Sequence, residues 1–241
     1  MKTRPILWLM VCCAAGVAAA ASIHINYKNF SAHTPGAPLD PGLRVLSIPK
    51  IKPNNFSLVD DAGTTVLKID SDNSAASLGL PLQFDPDNTP LMSWRWKISR
   101  ALDRADINTK PGDDFAARMY VFFDVPLASL SFTDRTKIRL ARLVSGQDVP
   151  TAAICYVWDN KAAIGYSRWS PYTDRVRMIV LQSGGMASQW MNETRDVAAD
   201  FRAAFGFAAP RVTGVAVGND TDQSGEQVTT WFGDVTFAAR R

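Results

Sequence analysis

From Leu91 to Ile98 polar and apolar residues alternate: Met92, Trp94, Trp96 and Ile98 share one phase, and Ser93, Arg95 and Lys97 the other. A period of two belongs to a strand, whose successive side chains point to opposite sides. The segment therefore predicts a strand with one buried and one solvated face. A second long strand is predicted from Asp113 to Phe123, after a Pro-Gly turn. There Phe115, Ala117, Met119, Val121 and Phe123 fall in one phase, and Asp114, Arg118 and Tyr120 in the other with Phe122. Paired strands of this kind predict a half-solvated antiparallel sheet.

Shorter apolar runs flank this pair. Strands are predicted at 23–30, 43–48, 56–59, 65–70, 77–84, 154–158, 175–181, 211–217 and 227–237, with turn residues such as Asp61-Ala62-Gly63-Thr64 between them. Two stretches have helical spacing instead. Ile138, Leu140, Ala141 and Val144 mark 131–144, and Val197, Phe201 and Phe205, closed by Gly206, mark 194–205. The expected fold is an all-β antiparallel β-sandwich of jelly-roll or galactose-binding-like type with one or two short helical insertions.

The N-terminus changes the picture. Lys2 and Arg4 precede an apolar run from Ile6 to Val17, and Ala18 to Ala21 supply small residues. This reads as a cleaved signal peptide over 1–21, since the run is shorter than the ~20 residues of a span. It implies a periplasmic or secreted protein with no membrane span after cleavage. Residues 22–42 read as an N-terminal extension, and 43–241 as a single domain. Cleavage leaves Cys155 as the lone cysteine, in an apolar strand, so the fold rests on core burial rather than on disulfides. The formal net charge is +3 with no dense Lys/Arg run, which argues against nucleic acid as a partner.

Five short motifs occur in order: Trp94-Arg95-Trp96-Lys97, Gly112-Asp113-Asp114-Phe115-Ala116-Ala117-Arg118, Tyr156-Val157-Trp158, Asp220-Thr221-Asp222 and Trp231-Phe232-Gly233-Asp234-Val235. Together they resemble a secreted bacterial family catalogued as domain of unknown function 3047. The resemblance spans most of the mature chain. It implies a β-sandwich and assigns no activity.

Only His24 and His33 carry imidazoles, both in the first mature segment, which argues against histidine-based triads and multi-histidine zinc sites. Carboxylates remain as acid/base groups. Asp113, Asp114 and Asp222, with Arg118 and Tyr120, are the catalytic candidates for a polysaccharide hydrolase or lyase, which requires two carboxylates roughly 5–10 Å apart across a cleft. The simpler role for Asp113 and Asp114 is to cap a turn or pair with a cation. In a straight strand Asp114 and Arg118 stand about 13 Å apart, so each would look to a neighbouring strand.

Asp220-Thr221-Asp222-Gln223-Ser224-Gly225 has the oxygen spacing of the first half of a calcium loop, but Trp231 stands where an EF-hand needs its bidentate glutamate. That excludes an EF-hand. A looser calcium site would use Asp220, Asp222, Ser224 and Asp234; no other cofactor is indicated. A polar hairpin loop is the plainer alternative. Among the tryptophans, Trp94 and Trp96 belong to the core phase. Trp169 and Tyr172, in an aromatic, Pro-containing stretch, are the ligand-binding candidates together with Arg118. The expectation is a β-sandwich that binds carbohydrate or envelope glycan without catalysis. The alternatives are the hydrolase or lyase, and an envelope interaction protein with no small ligand.

Overall fold

The computed structural model describes residues 23–25, 27–136, 150–185 and 187–240. The leader and most of the first expected helix lie outside the described residues; the chain is helical at 132–136. Two packed sheets form the body. The eight-stranded sheet has the order β1 (His24–Ile25), β5 (Ala75–Phe84), β12 (Val212–Asp220), β7 (Ala117–Phe123), β8 (Ala152–Asp159), β10 (Thr173–Ser183), β9 (Ser167–Ser170), and β2 (Arg44–Ser47) shares the β5 edge with β1. The six-stranded sheet runs β11 (Met191–Asp196), β6 (Leu91–Ile98), β13 (Gln227–Phe232), β4 (Thr64–Asp72), β3 (Asn55–Asp61), and β14 (Thr236–Ala238) also pairs with β6. The expected β-sandwich is what forms.

The alternation in β6 is realised in full. Met92, Trp96 and Ile98 are fully buried and Trp94 is 4% exposed, while Ser93, Arg95 and Lys97 face outward. Trp94 meets Trp96 edge-on at 5.6 Å and Tyr156 at 5.4 Å; Trp96 reaches Trp158 at 5.9 Å and Phe232 at 6.2 Å. These offset aromatic contacts join the two sheets across the core. On β8 the phases split likewise. Ile154, Tyr156 and Trp158 enter this inter-sheet core, whereas Cys155 and Val157 join Phe115, Ile107, Met178 and Val180 in a second, smaller cluster on the outer face of the eight-stranded sheet.

Five local expectations need correcting. β10 pairs with β8 in parallel, because the chain leaves β8, forms β9 and returns, so one pairing breaks the antiparallel rule. The second helix begins at Val197 rather than Thr194: β11 takes residues up to Asp196, whose side chain caps the helix by accepting from the Ala199 N–H at 2.9 Å, and Gly206 ends it at φ +79°. Residues 113–116 are not part of β7. The last expected strand is broken at Gly233-Asp234-Val235 into β13 and β14. The first strand shrinks to two residues and gives way to a 3-10 turn at Phe30–Ala32, where Phe30 enters the core.

Candidate functional site

The β7 strand lies between β12 and β8, with Arg118 opposite Gly218 on one side and Val157 on the other. Its side chain points to the outer face and is only 7% exposed. Nε donates to Asp220 Oδ1 at 2.8 Å and Nη2 to Asp220 Oδ2 at 2.5 Å, a two-pronged pairing that matches the planar fork of a guanidinium to a carboxylate. Nη2 also donates to the Asp113 carbonyl at 2.6 Å, and the guanidinium lies 4.3 Å from the Phe115 ring centre. The partner on a neighbouring strand is thus Asp220, the last residue of β12.

Asp113 and Asp114 reach this place because the preceding loop closes on itself. The Asp106 N–H donates to the Gly112 carbonyl at 2.7 Å, and a Cβ on Gly112 would stand 2.7 Å from Asp106 N and 2.8 Å from Asp106 Cβ. Only glycine fits that approach. The chain then turns across Arg118 instead of running straight into β7. Asp113 Oδ2 comes within 3.6 Å of Arg118 Nη2, while its Oδ1 is buried with no hydrogen-bond partner among the described residues. The fully buried Asp114 accepts from the Ser224 N–H at 2.6 Å and the Gln223 N–H at 3.4 Å. The 220–225 loop turns at Gly225, φ +64°, and so wraps its backbone donors around this carboxylate.

Asp114, Asp220 and Asp222 each place an oxygen within 4.8 Å of the others, an arrangement of hard oxygen donors that could hold a metal ion. The electrostatics are strained in one direction. Burial pushes the Asp220 carboxyl up to about 7 against the pull of Arg118. Burial, with the charge of Asp114 beside them, also raises Asp222 and, against Arg118, Asp113. The Arg118 guanidinium stays charged, held by Asp220 despite its burial. Tyr120 lies next along this face, its hydroxyl raised far above the usual range by burial; its cross-strand neighbour Cys155 is pushed up to about 12 by the same cause and is no nucleophile.

Tyr172, 57% exposed, stands at the rim. Its hydroxyl donates to the Lys110 carbonyl at 3.3 Å, and its pKa is raised by burial of the hydroxyl and then by the nearby Asp113 and Asp222. Tyr166 is similarly tethered, donating to Asn108 Oδ1 at 2.8 Å, and Arg168 Nη1 donates to the same oxygen at 3.2 Å.

The site therefore gathers Asp113, Asp114, Arg118, Tyr120, Tyr172, Asp220 and Asp222. Two expected members belong elsewhere, and a third, Ser224, joins through its backbone rather than its hydroxyl. Trp169 pairs in register with Arg177 and packs against Phe205 at 5.2 Å and under the Arg177 guanidinium at 5.1 Å, on the other side of its strand from Arg168. Asp234 accepts from the Ser31 N–H at 3.0 Å and the Ser31 hydroxyl at 2.5 Å, on the six-stranded side. Ser224 offers Asp114 its backbone N–H, and its hydroxyl accepts from the Glu226 N–H at 3.4 Å. Tyr166, Arg168, Asn108 and Lys110 were missed. Period two through Ser167-Arg168-Trp169-Ser170 separates Arg168 from Trp169, and is the signal in the sequence that points to Arg168.

Fold and site define a two-sheet β-sandwich with an acidic, tyrosine-rimmed patch on the outer face of its larger sheet. The chain belongs to the family described as "Protein of unknown function (DUF3047)", whose model matches residues 41–236. No curated protein matches it. Among solved structures it is similar to the xyloglucanase domain of NopAA, a type three effector from Sinorhizobium fredii, at 11% identity and a TM-score of 0.41, covering 91% of this chain and 98% of that one. It is also similar to the family 30 carbohydrate-binding module of the cellulosomal cellulase Cel9D-Cel44B of Clostridium thermocellum, at 11% identity and 0.38, covering 91% and 98%. A family 29 carbohydrate-binding module aligns at 9% and 0.36, covering 91% and 92%.

Proposed function

We propose that this protein binds a glycan of the bacterial envelope at the acidic, tyrosine-rimmed patch, without catalysis, after export and removal of residues 1–21. The observation that carries this reading is the pair of exposed rings, Tyr172 and Tyr166, each anchored by its hydroxyl to the 108–110 segment beside Asp113 and Asp222. A sugar presents an apolar C–H face to such a ring and hydroxyl donors to the adjoining carboxylates, while the tethers reduce the ordering cost of binding. Calcium held by Asp114, Asp220 and Asp222 belongs to the same reading: it would supply the missing positive charge and fix the loop that shapes the patch.

A hydrolase fits less well. Asp114 is closed to solvent and hydrogen-bonded by backbone N–H groups, and Asp220 is occupied by Arg118. Neither is free to act on a glycosidic bond, and Asp113, the one remaining partner for Asp222 in this cluster, is itself buried beside Arg118. Affinity electrophoresis of the mature protein in gels containing envelope or plant polysaccharides, with calcium present, tests the proposal. Retardation by at least one polysaccharide, lost in Tyr172→Ala, is expected. No retardation, or cleavage of the retarding polymer, overturns it.

A further inference from the structure

The outer face of the six-stranded sheet carries a feature that the first site does not use. A groove of about 290 Å³ runs beside β6, lined by Ser31, Ser93, Thr194, Asn192, Arg95 and Asp234 among others. Its walls are hydroxyls and an amide, with the two oxygens of Asp234 already taken by Ser31. At one side Arg95 leaves the groove beneath the indole of Trp190, its guanidinium 4.3 Å from the ring centre. The arginine stem packs closely on Gly233, where a Cβ would stand 2.7 Å from Arg95 Cγ and 2.8 Å from Nε. Trp190 is held in turn: Nε1 donates to Asp61 Oδ2 at 2.5 Å, and Lys97 Nζ lies 4.9 Å from its ring and 4.7 Å from that of Trp231.

We infer that this groove and the Trp190 indole form a second saccharide-binding site, on the opposite face of the sandwich from the tyrosine-rimmed patch. A half-buried indole, linked through Arg95 to a row of hydroxyl and amide groups, serves a ligand with an apolar C–H face and many hydroxyls on its edges, which is the chemistry of a pyranose. The charge favours a neutral sugar. Arg95 makes no ion pair among the described residues, and the groove carries one charge of each sign, Arg95 and Asp234. Glu193 turns inward with Trp94, its carboxylate accepting from Trp96 Nε1 at 3.1 Å and Gln182 Nε2 at 2.8 Å. A protein with sites on both outer faces cross-links two glycan strands instead of holding one.

The inference stands apart from the first site, and the experiment keeps them apart. Neutral oligosaccharides of glucose, N-acetylglucosamine and mannose are titrated into the mature protein, read by tryptophan fluorescence and calorimetric stoichiometry. In a Tyr172→Ala background, Trp190→Ala should weaken the remaining binding at least about tenfold, as expected for loss of one aromatic anchor. Trp190→Phe, which keeps a ring over Arg95, should restore most of it, and far-UV circular dichroism should show all variants folded. Failure of every neutral probe to perturb the tryptophans, or binding unchanged by Trp190→Ala, overturns this site whatever becomes of the first. Loss of binding with Tyr172→Ala alone would leave a single site and overturn it equally.

Discussion

On the outer face of the six-stranded sheet each of two lysines meets its own carboxylate. Lys97 Nζ lies 2.7 Å from Asp61, and Lys68 Nζ 2.8 Å from Asp70. On the outer face of the eight-stranded sheet Asp113, Asp114, Asp220 and Asp222 gather around one buried guanidinium, and one carboxylate oxygen of Asp113 is buried without a partner among the described residues. The first face neutralises itself with partly exposed pairs that cost little and contribute little. The second holds negative charge in a place where burial makes charge expensive, so Asp113, Asp220 and Asp222 are pushed toward the protonated form. The contrast separates surface charge that merely solvates a sheet from charge that calls for a proton, a metal ion or a ligand.

The largest test of that contrast is removal of the shared cation. Arg118→Met leaves Asp220 buried without its guanidinium, and breaking one side of such a pair is expected to cost roughly 3–5 kcal/mol. Urea denaturation measures it; a loss below about 1 kcal/mol would place the Arg118–Asp220 pair in the same class as the surface pairs.

Calcium comes next. A bound ion should stabilise the fold by about 2.7 kcal/mol at a hundredfold excess over its dissociation constant. Melting curves with calcium and with chelator check this, and the shift should vanish in Asp222→Asn. An unchanged melting temperature would leave Arg118 as the sole compensation.

The pH dependence is smaller and has a definite sign. Asp220 titrates near 7 in the folded chain against an ordinary value of 3.8, so the folded state holds this proton more tightly than the unfolded state. Its contribution to stability is full below about pH 4 and is lost as pH rises from about 4 to about 7. Asp113 and Asp222 shift in the same direction. In chelator, the melting temperature should therefore fall over that interval and level off above it, more shallowly in Asp222→Asn. A rise over the same interval would mean that the Arg118 pairing outweighs burial.

The smallest effect belongs to the other face. Lys97→Met should change stability by no more than about 1 kcal/mol, since Asp61 can turn to solvent and keep its bond from Trp190. A loss as large as that of Arg118→Met would erase the distinction between the two faces.

The alternation in β6 and β7 and the apolar runs of the other strands determined the sandwich from sequence, because burial on one face of a strand forces a period of two whatever lies opposite. The core positions of Trp94 and Trp96 followed from the same rule. Other features depended on three-dimensional closure. The loop that folds on Gly112 brings Asp113 back over Arg118, although a straight strand would separate them. The break at Gly233 carries Asp234 away to Ser31, on the six-stranded side of the sandwich. Residues 167–170 form an edge strand only because β10 is there to pair with them, and that pairing sends Trp169 to Phe205 while Arg168 faces Asn108. Period and polarity are local properties that a chain displays along its length. Which carboxylates share one guanidinium is set by strand order and loop closure, whose energy comes from partners a hundred residues apart.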